Sequence, residues 1–451
     1  MPAQLVVLGL GPGDPGLRTV AAEQALVNAD RIVLRTRIHP GLSAFDGDPR
    51  VSDCDDLYAS LPSFDEVYAA IADRVIAIAT EVHGHVVYAV PGNPWFGERT
   101  VPLVLERAEA MGLASSVLAG VSFLDIVAAS AERDPLAEAW QLLDGAQVAM
   151  AAATQPFSGG QVVIDPTRPC LVTQVYSAAV ASDVKGELAR AYPEEHDIIV
   201  INAAGVQDEE RVNVCKLYEL DRQPVDHLTS VLVPSMDSLS ASHSPQTLQR
   251  IIARLRAPGG CPWDRKQNHS TLRQAVIEEA YEVVDAIDAE DMENLAEELG
   301  DLLLQVALHA QIAEEDGDFL LEDVYGAVSE KLVRRHPHVF GDVSAETPAE
   351  VVKTWDAVKA AERASSGKPE SKTEHPLDKL PRSMPALERA HTLLAPRKGE
   401  RAAETDPAAL DAAGATMLAA VEFAVAAGVD PGQALERALR QRFKPEERTT
   451  S

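Results

Sequence analysis

Cysteine is scarce in this chain, and the few that occur are far apart. Only four cysteines are found in 451 residues, and no two of them form a CxxC pair. Disulfide frameworks and zinc sites depend on paired or regularly spaced cysteines. We therefore expect neither, and we expect a reducing compartment, the cytoplasm. The four residues are Cys54, Cys170, Cys215 and Cys261.

Basic residues are also few relative to acidic ones. The chain has 40 Lys and Arg against 70 Asp and Glu, so its formal net charge is −30. Duplex nucleic acid and anionic membranes attract positively charged proteins, so we expect neither as a partner. A small anionic ligand is compatible with this balance, because a few local cations or a metal ion would be enough to hold it.

Long apolar runs are missing as well. No stretch approaches the roughly 20 uninterrupted apolar residues that a membrane-spanning helix needs. Met1 is followed by a strand-like run rather than by the basic and apolar regions of a signal peptide. The chain does have length and apolar content, since 46% of its 451 residues are hydrophobic. We therefore expect a soluble cytoplasmic protein of two or three domains.

Short apolar runs alternate with helical patterns over residues 1–235, which predicts an α/β domain. The predicted strands are residues 4–10, 31–34, 85–90, 147–152, 170–175 and 197–201, and residues 17–29 are a predicted helix. Two glycine-rich loops, residues 11–15 and 91–94, directly follow predicted strands. One such loop alone is more often a tight turn, but two at the carboxyl ends of two strands favour a ligand crevice.

Three motifs in this domain resemble the tetrapyrrole methylase family over residues 5–221: LGLGPGDPGLRT, AVPGNPWFGERT and GVSFLD. The resemblance implies an S-adenosylmethionine cofactor held largely by backbone groups. The implied cofactor-binding residues are Gly11, Gly13, Asp14, Pro91, Gly92, Asn93, Val121 and Ser122. Asn93 stands where the family usually has Asp. No set of residues forms an evident general base, although methyl transfer often relies on positioning alone. The domain is either a methyltransferase or a non-catalytic ligand-binding scaffold.

After a polar linker at residues 236–246, the chain turns helical over residues 247–365. A predicted capping box at Thr271 and Gln274 starts one helix, and a second helix follows a short acidic turn. The apolar stripes of the two helices are Leu272, Val276, Val283, Ala286 and Ile287 on the first, and Leu295, Leu299, Leu302 and Val306 on the second. Packing of the stripes against each other predicts that four carboxylates beside them converge. These are Glu279, Glu282, Glu298 and Asp301.

Four unpaired carboxylates at one place would repel each other and would be costly to desolvate. A hard divalent cation such as Mg²⁺ removes both costs, because it takes oxygen ligands. A solvated acidic face is the commoner fate of Glu-rich helices, and it accounts for Glu290 and Glu293 here. It accounts poorly for Glu279, which falls inside an apolar stripe, so the pattern favours a metal site.

Cations and aromatic residues accompany the acids. Lys331 and Arg335 lie four residues apart in one predicted helix, and Trp355 and Lys359 in the next. Basic residues late in a helix complement its dipole, and Trp is usually a core residue. Beside a metal cluster, however, these four predict a triphosphate clamp and a base platform. Residues 336–338 (HPH) are a predicted loop, for which we do not favour a metal site.

This helical region closely resembles the MazG nucleoside triphosphate pyrophosphohydrolases. The matching motifs are GGCPWDRKQNHSTLR, EEAYEVVDAI, EELGDLLLQVALHA, EKLVRRHPHVFGD and KTWDAVKAAER. The resemblance implies an all-α bundle, a homodimer, and hydrolysis of a nucleoside triphosphate to a monophosphate and pyrophosphate. It implies Mg²⁺, or Mn²⁺ in its place, on the four carboxylates.

The resemblance also implies roles for the other residues of the region. Either Glu278 or Glu279 would take the proton of the attacking water, and the two stay open as alternatives. The remaining residues would contact the substrate, with Lys331 and Arg335 also contributing to catalysis by neutralising phosphate charge. The substrate-binding residues are Trp263, Lys331, Arg335, Trp355 and Lys359.

The tail, residues 377–451, follows a second predicted linker at residues 366–376. Residues 411–431 resemble the second helical copy of two-domain MazG proteins, but Ala412 and Ala415 stand where the metal-binding acids should be. We expect a degenerate repeat that packs or dimerises, with a shortened loop at residues 396–406 and a frayed end at residues 444–451. The leading hypothesis is therefore one competent hydrolase centre. The alternatives are a methyltransferase as the main activity, or an N-terminal scaffold.

Overall fold

The structure is a computed structural model that describes residues 4–154, 162–365, 375–394 and 407–443. It separates into two compact units, Met1–Leu321 and Glu322–Ser451. The predicted loop at residues 396–406, the frayed end at residues 444–451 and most of the linker at residues 366–376 lie outside the described residues.

The chain begins with a five-stranded parallel sheet whose strand order is β3-β2-β4-β1-β5. Its strands are β1 (Gln4–Gly9), β2 (Arg31–Leu34), β3 (Val51–Asp53), β4 (His85–Val90) and β5 (Ala114–Leu118). Its helices are α1 (Val20–Asn28), α2 (Asp55–Ser60), α3 (Phe64–Glu81), α4 (Thr100–Ala110) and α5 (Phe123–Ser130). Helices cover a parallel sheet on both faces, which explains why the central strands β1 and β4 are almost continuously apolar.

A second five-stranded sheet follows, with strand order β6-β7-β10-β8-β9. Its strands are β6 (Gln141–Asp144), β7 (Cys170–Thr173), β8 (Asp197–Asn202), β9 (Arg211–Lys216) and β10 (Thr229–Val233). Its helices are α6 (Gly145–Thr154) and α7 (Ala178–Leu188). Only β6 and β7 pair in parallel, and the other neighbours are antiparallel. Two sheets in series with interleaved helices confirm the predicted α/β class for this part of the chain.

The predicted strands are found with one exception. Residues 147–152 were expected to form a strand but lie inside α6. The run is rich in Ala, which favours helix, and a short apolar run does not by itself distinguish a buried strand from a buried helix. The side chain of Asp144 accepts hydrogen bonds from the backbone of Ala146 and Gln147, which supports the helix start.

Three helices complete the first unit: α8 (Pro245–Arg256), α9 (Arg273–Asp288) and α10 (Met292–Asp316). Ile252, Leu272, Leu308 and Ile312 form their shared apolar core. The side chain of Asp291 accepts a hydrogen bond from Asn294 N and starts α10 after a short turn. That turn returns the chain so that α9 and α10 run side by side in opposite directions, as the acid pattern required.

Two details of this region were predicted incorrectly. The capping box at Thr271 is wrong, because α9 is preceded by Leu272 and the Thr271 hydroxyl donates to the Asn268 carbonyl instead. The apolar stripes are buried only in part, since Ile287, Leu299 and Val306 are about half-exposed. The reason is that a helix pair buries only the residues that face the partner helix or α8.

The second unit is helical. It contains α11 (Leu321–Arg335, whose first residue ends the first unit), α12 (Pro337–Phe340), α13 (Pro348–Ser365), α14 (Ala386–Leu394), α15 (Pro407–Ala426) and α16 (Pro431–Arg442). Leu377, Ala390 and Leu439 form a small apolar core around α14 and α16. The loop predicted for residues 336–338 is partly wrong, because Pro337 begins the one-turn helix α12.

In the described part of the chain, one helical segment is long and apolar enough to cross a membrane by length and composition. It is Ala408–Ala426 in α15, with a mean hydropathy of 1.5 and only 6% of the apolar window buried. Asp411 and Glu422 interrupt it, so it does not contradict the absence of an uninterrupted apolar run. The absence of a membrane partner stays a prediction.

Candidate functional site

Three acidic side chains converge between α9 and α10. Glu279 and Glu282 lie three residues apart on α9, and Glu298 lies on α10. One carboxylate oxygen from each lies within 4.8 Å of the other two. The spacing of three places the first two on one face of their helix, and the antiparallel return of the chain brings the third to meet them. Asp301, the fourth predicted ligand, is not part of this close group.

The electrostatics of the cluster are those of unpaired acids. Loss of hydration raises the pKa of Glu279, and the charges of Asp301 and Glu282 raise it further. The pKa of Glu298 is also raised, by desolvation first and then by the charges of Glu282 and Asp301. Asp301 is therefore close enough for its charge to raise the pKa of both Glu279 and Glu298. None of the largest contributions to either pKa shift comes from a cation, so the cluster fits a divalent metal ion, which takes oxygen ligands.

Gln305 is a neighbour of the cluster that sequence reasoning missed. It is buried on α10, and its Nε2 donates to Glu279 Oε1 at 3.4 Å, while its Oε1 is buried without a partner. A buried carbonyl oxygen without a donor is unusual and marks a place for a water molecule or ligand. The available signal was its spacing, because Gln305 follows Asp301 by four residues on the same helix face.

Glu278, one of the two candidate bases, is not brought to the cluster. It is exposed, and it accepts a hydrogen bond of 3.4 Å from Gln274 Nε2 on its own helix. Neighbouring residues on a helix do not face the same way, which separates Glu278 from Glu279.

The predicted substrate cations belong to the second unit. Lys331 is exposed on α11, whereas Arg335 is held by Glu362 of α13 through its Nη2 at 2.8 Å. On α13, the Lys359 ammonium lies 5.7 Å from the centre of the Trp355 ring. The indole N–H of Trp355 is buried without an acceptor.

Trp263, the remaining predicted substrate contact, lies in the loop between α8 and α9 and is 62% exposed. Sequence reasoning missed the residue that holds this loop. The buried guanidinium of Arg256 donates through Nη1 to the carbonyls of Asp264 and Gln267, at 2.5 and 3.2 Å. It also pairs with Glu315 of α10 at 2.8 Å, so the loop is fixed to α10.

The glycine loops meet at the carboxyl ends of three adjacent strands, β4, β1 and β5. Gly92 N donates to Gly11 O at 2.8 Å, and a Cβ added to Gly120 would lie 2.3 Å from Gly92 O. Gly11 and Gly13 are buried, and the neighbours of Gly13 are Val206 and Pro40. Gly92 itself has a φ of +66° and open space where a Cβ would point, so a ligand can approach its backbone. The residues therefore fit a cofactor at Gly92 better than at Gly11 or Gly13.

The polar side chains of these loops are used locally. Asp14 accepts from Gly16 N in a short 3₁₀ turn, and Ser122 caps α5 together with Asp125. Asn93 donates through Nδ2 to Gly120 O at 2.8 Å and accepts from Trp95 N at 2.9 Å. An ionised Asp has no donor for a carbonyl, which explains why Asn suits this position. Pro91 and Val121 are partly exposed beside these loops.

His39, which the sequence pattern did not single out, also holds the first loop. Its Nε2 donates to Gly11 O at 3.1 Å. Burial lowers the pKa of His39 to about 4, so the imidazole is neutral at physiological pH. The ring therefore secures the loop as a neutral donor and adds no charge to the crevice.

Comparison with known families assigns both parts of the chain. Residues 4–221 match the family model described as tetrapyrrole (corrin/porphyrin) methylases. Residues 267–340 match the model of the MazG nucleotide pyrophosphohydrolase domain. The second match contains the three clustered carboxylates, Asp301 and two of the predicted substrate cations, Lys331 and Arg335.

Individual proteins resemble the chain over different lengths. An uncharacterized protein of Bacillus subtilis, YabN, is 38% identical over 396 residues, which are 87% of this chain and 77% of YabN. A nucleoside triphosphate pyrophosphohydrolase of Escherichia coli is 49% identical over 148 residues, which are 32% of this chain and 54% of that enzyme. The crystal structure of the methyltransferase CobJ is 19% identical, covers 52% of this chain and 94% of its own, and superposes with a TM-score of 0.38.

Proposed function

The chain belongs to the same family as YabN, with a tetrapyrrole methylase domain followed by a MazG domain, and from this premise we propose that it is a nucleoside triphosphate pyrophosphohydrolase. The proposed reaction is attack of water at the α-phosphorus, which releases a nucleoside monophosphate and pyrophosphate. The observation that carries the proposal is the convergence of Glu279, Glu282 and Glu298 within 4.8 Å. That arrangement is costly without a cation and suited to a divalent one.

In this proposal Glu279, Glu282 and Glu298 hold Mg²⁺, or Mn²⁺ in its place, with Asp301 as the fourth ligand. The ion supplies a Lewis acid that polarises phosphoryl oxygens and lowers the pKa of water. A carboxylate next to the attacking water takes its proton. Glu279 lies in the cluster, beside the place proposed for the ion and its water, which supports it over Glu278 as this base. Gln305 would orient Glu279 through its amide N–H.

The substrate contacts are proposed from residue chemistry. Lys331, Arg335 and Lys359 neutralise charge on the triphosphate, which stabilises the transition state of an anionic reaction. Trp355 and Trp263 offer aromatic surface on which the nucleobase of the substrate can stack. The pyrophosphohydrolase activity that E. coli and other relatives carry in their names supports this substrate class for the MazG part of the chain.

The test is pyrophosphate release from a panel of nucleoside triphosphates with Mg²⁺. We expect Glu298→Ala and Asp301→Ala to lose activity, and Glu293→Ala to keep it, because Glu293 is an exposed acid in the first turn of the same helix. Normal hydrolysis by both of the first two variants would refute the site.

A second candidate function concerns the N-terminal domain. The open space beside Gly92 at the carboxyl end of β4 supports binding of a ligand there. The ligand is S-adenosylmethionine if the activity is methyl transfer, and a different one if the domain is a non-catalytic ligand-binding scaffold. Calorimetry with S-adenosylmethionine tests this proposal. Absence of binding would remove the methyltransferase and leave the scaffold.

The remaining proposals concern organisation. We infer domain boundaries at residues 1–235, 247–365 and 377–451, with linkers between them, and a cytoplasmic protein without nucleic acid or membrane partners. A homodimer is supported by apolar side chains that α9 and α10 leave about half-exposed. They are Tyr281, Val284, Leu299, Leu303 and Val306. An elution mass that matches one chain would count against the dimer.

A further inference from the structure

Glu362, near the end of α13, bridges two consecutive arginines of α11. Its Oε1 accepts from Arg334 Nε at 2.7 Å and from Arg335 Nε at 3.3 Å, and its Oε2 accepts from Arg335 Nη2 at 2.8 Å. These hydrogen bonds lower the pKa of Glu362 to about 2. The carboxylate is therefore ionised throughout the physiological range, and both bonds to Arg335 are charge-assisted.

The same two helices meet through an aromatic contact. His336 directly follows α11, and its Nδ1 donates to Leu332 O at 2.7 Å, which fixes the ring. The ring stands edge-on to Trp355 of α13, with 5.2 Å between centroids and 88° between planes. Glu362 lies seven residues after Trp355, two turns along the same face of α13. The ion pair of Glu362 and the aromatic contact of Trp355 therefore both join the same face of α13 to α11 and the residue after it.

These two contacts join the helices that carry the residues proposed to bind the substrate. Lys331 and Arg335 lie on α11, and Trp355 and Lys359 lie on α13. A nucleotide that contacts both sets requires the two helices to keep one relative position, since a displacement of about 1 Å can cost 10²-fold in rate. A carboxylate that binds two guanidinium groups is well suited to fix that position.

We propose that Glu362 is a positioning residue that orients Arg335 and aligns α11 with α13 for triphosphate binding. The inference rests on the proposed function and adds a residue to it. A guanidinium has five N–H donors. Glu362 engages Nε and Nη2 of Arg335, so the Nη1 donors stay directed away from the carboxylate. Two arginines and one glutamate also keep a net positive charge, which attracts phosphate.

The experiment compares Glu362→Gln with Asp356→Asn in the full-length chain with Mg²⁺. Both are acid-to-amide changes on α13, and Asp356 is exposed. We expect Glu362→Gln to raise KM for the best nucleoside triphosphate by about tenfold, by analogy with the roughly 10–100-fold that hydrogen-bond partners of metal ligands contribute. We expect kcat to fall as well, by a smaller factor, because Arg335 is also proposed to stabilise the transition state. Asp356→Asn should match the wild type, and Glu362→Asp should recover part of the loss.

Other outcomes would overturn the inference. A lower KM in Glu362→Gln would mean that Glu362 competes with phosphate for Arg335. A fall in kcat that only follows the unfolded fraction of the variant, at unchanged KM, would mean that the ion pair serves the fold alone. Kinetics and thermal stability equal to those of the wild type would mean that it serves neither. If the wild type and Glu298→Ala are equally inactive, the proposed function itself fails and the inference falls with it, a result distinct from the other three.

Discussion

Replacement of Glu279 by Gln should change stability in opposite directions with and without metal. In the metal-free protein Glu279 is a carboxylate whose ionised form is disfavoured by desolvation and by the neighbouring charges. Gln keeps the shape and the amide partner Gln305 while it removes the charge. The metal-free variant should therefore be more stable than the wild type, which is unusual because most single substitutions destabilise a protein.

The size of the effect follows from the geometry. Glu279 and Glu282 approach within 4.8 Å, and two like charges at that distance repel by about 1 kcal/mol in a water-like medium. The solvated value applies because Glu282 is exposed. A gain of about 1 kcal/mol corresponds to a rise in Tm of roughly 1.5 °C for the unit Met1–Leu321, at about 2.1 cal/mol/K of unfolding entropy per residue.

Binding of Mg²⁺ should reverse the order of thermal stability, so that the wild type becomes more stable than Glu279→Gln. Saturating Mg²⁺ at about a hundred times its Kd would stabilise the wild type by about 2.7 kcal/mol, whereas a variant that binds the ion weakly gains little. The assay is thermal unfolding of both proteins in EDTA and in Mg²⁺. Glu278→Gln is the matched control, because it removes the adjacent charge outside the cluster. It should change the unfolding temperature neither in EDTA nor in Mg²⁺.

One pattern of unfolding temperatures would refute a metal site at this cluster. If Glu279→Gln were less stable than wild type in EDTA and were still stabilised fully by Mg²⁺, the cluster would be a solvated acidic face. Activity separates the two candidate bases in the same set of proteins. Loss of kcat in Glu278→Gln with intact metal stabilisation would assign the base to Glu278 instead.

Three further predictions follow from the described residues. The raised pKa of Glu279 means that the folded protein binds its proton more tightly than the unfolded chain, so this residue destabilises the metal-free fold at neutral pH. The difference in unfolding free energy between wild type and Glu279→Gln should shrink as pH falls towards 4.5, the ordinary pKa of a glutamate. A difference that stays constant with pH would contradict the raised pKa. Leu303→Asp should change the stability of the monomer by less than about 0.5 kcal/mol, because Leu303 is half-exposed. It should nevertheless convert a dimer to a monomer, which light scattering measures as a halved mass. An unchanged mass would exclude this face as the dimer interface. Asn93→Asp should cost about 1–3 kcal/mol in chemical unfolding, because it replaces the donor to Gly120 O by an acceptor; an unchanged midpoint would show that the bond is not needed.

Strong local patterns in the sequence were enough to predict much of the fold. The buried strands β1, β2, β4, β7 and β8 were visible as apolar runs, because a strand covered on both faces must be apolar along its length. The alternation of such runs with helices gave the α/β class. The run at residues 147–152 failed for a local reason, since an Ala-rich apolar segment satisfies either structure and the Asp144 cap decided it.

The acid cluster could be predicted because helical periodicity alone aligns carboxylates on one face. The sequence therefore determined that Glu279, Glu282 and Glu298 would face one another once two antiparallel helices formed. It also determined the glycine loops at strand ends, since only glycine tolerates such a close backbone approach as that between Gly92 and Gly120.

Tertiary structure decided which partner each polar group takes. Gln305 reaches Glu279 across the helix pair, Arg256 holds the Trp263 loop, and Glu362 engages Arg335. Each of these partners lies more than five residues away along the chain, so periodicity can place a residue on a helix face but does not say which group it contacts. Hydrogen bonds and ion pairs depend on distances of about 3 Å, and such distances are fixed only when separate helices and loops pack together.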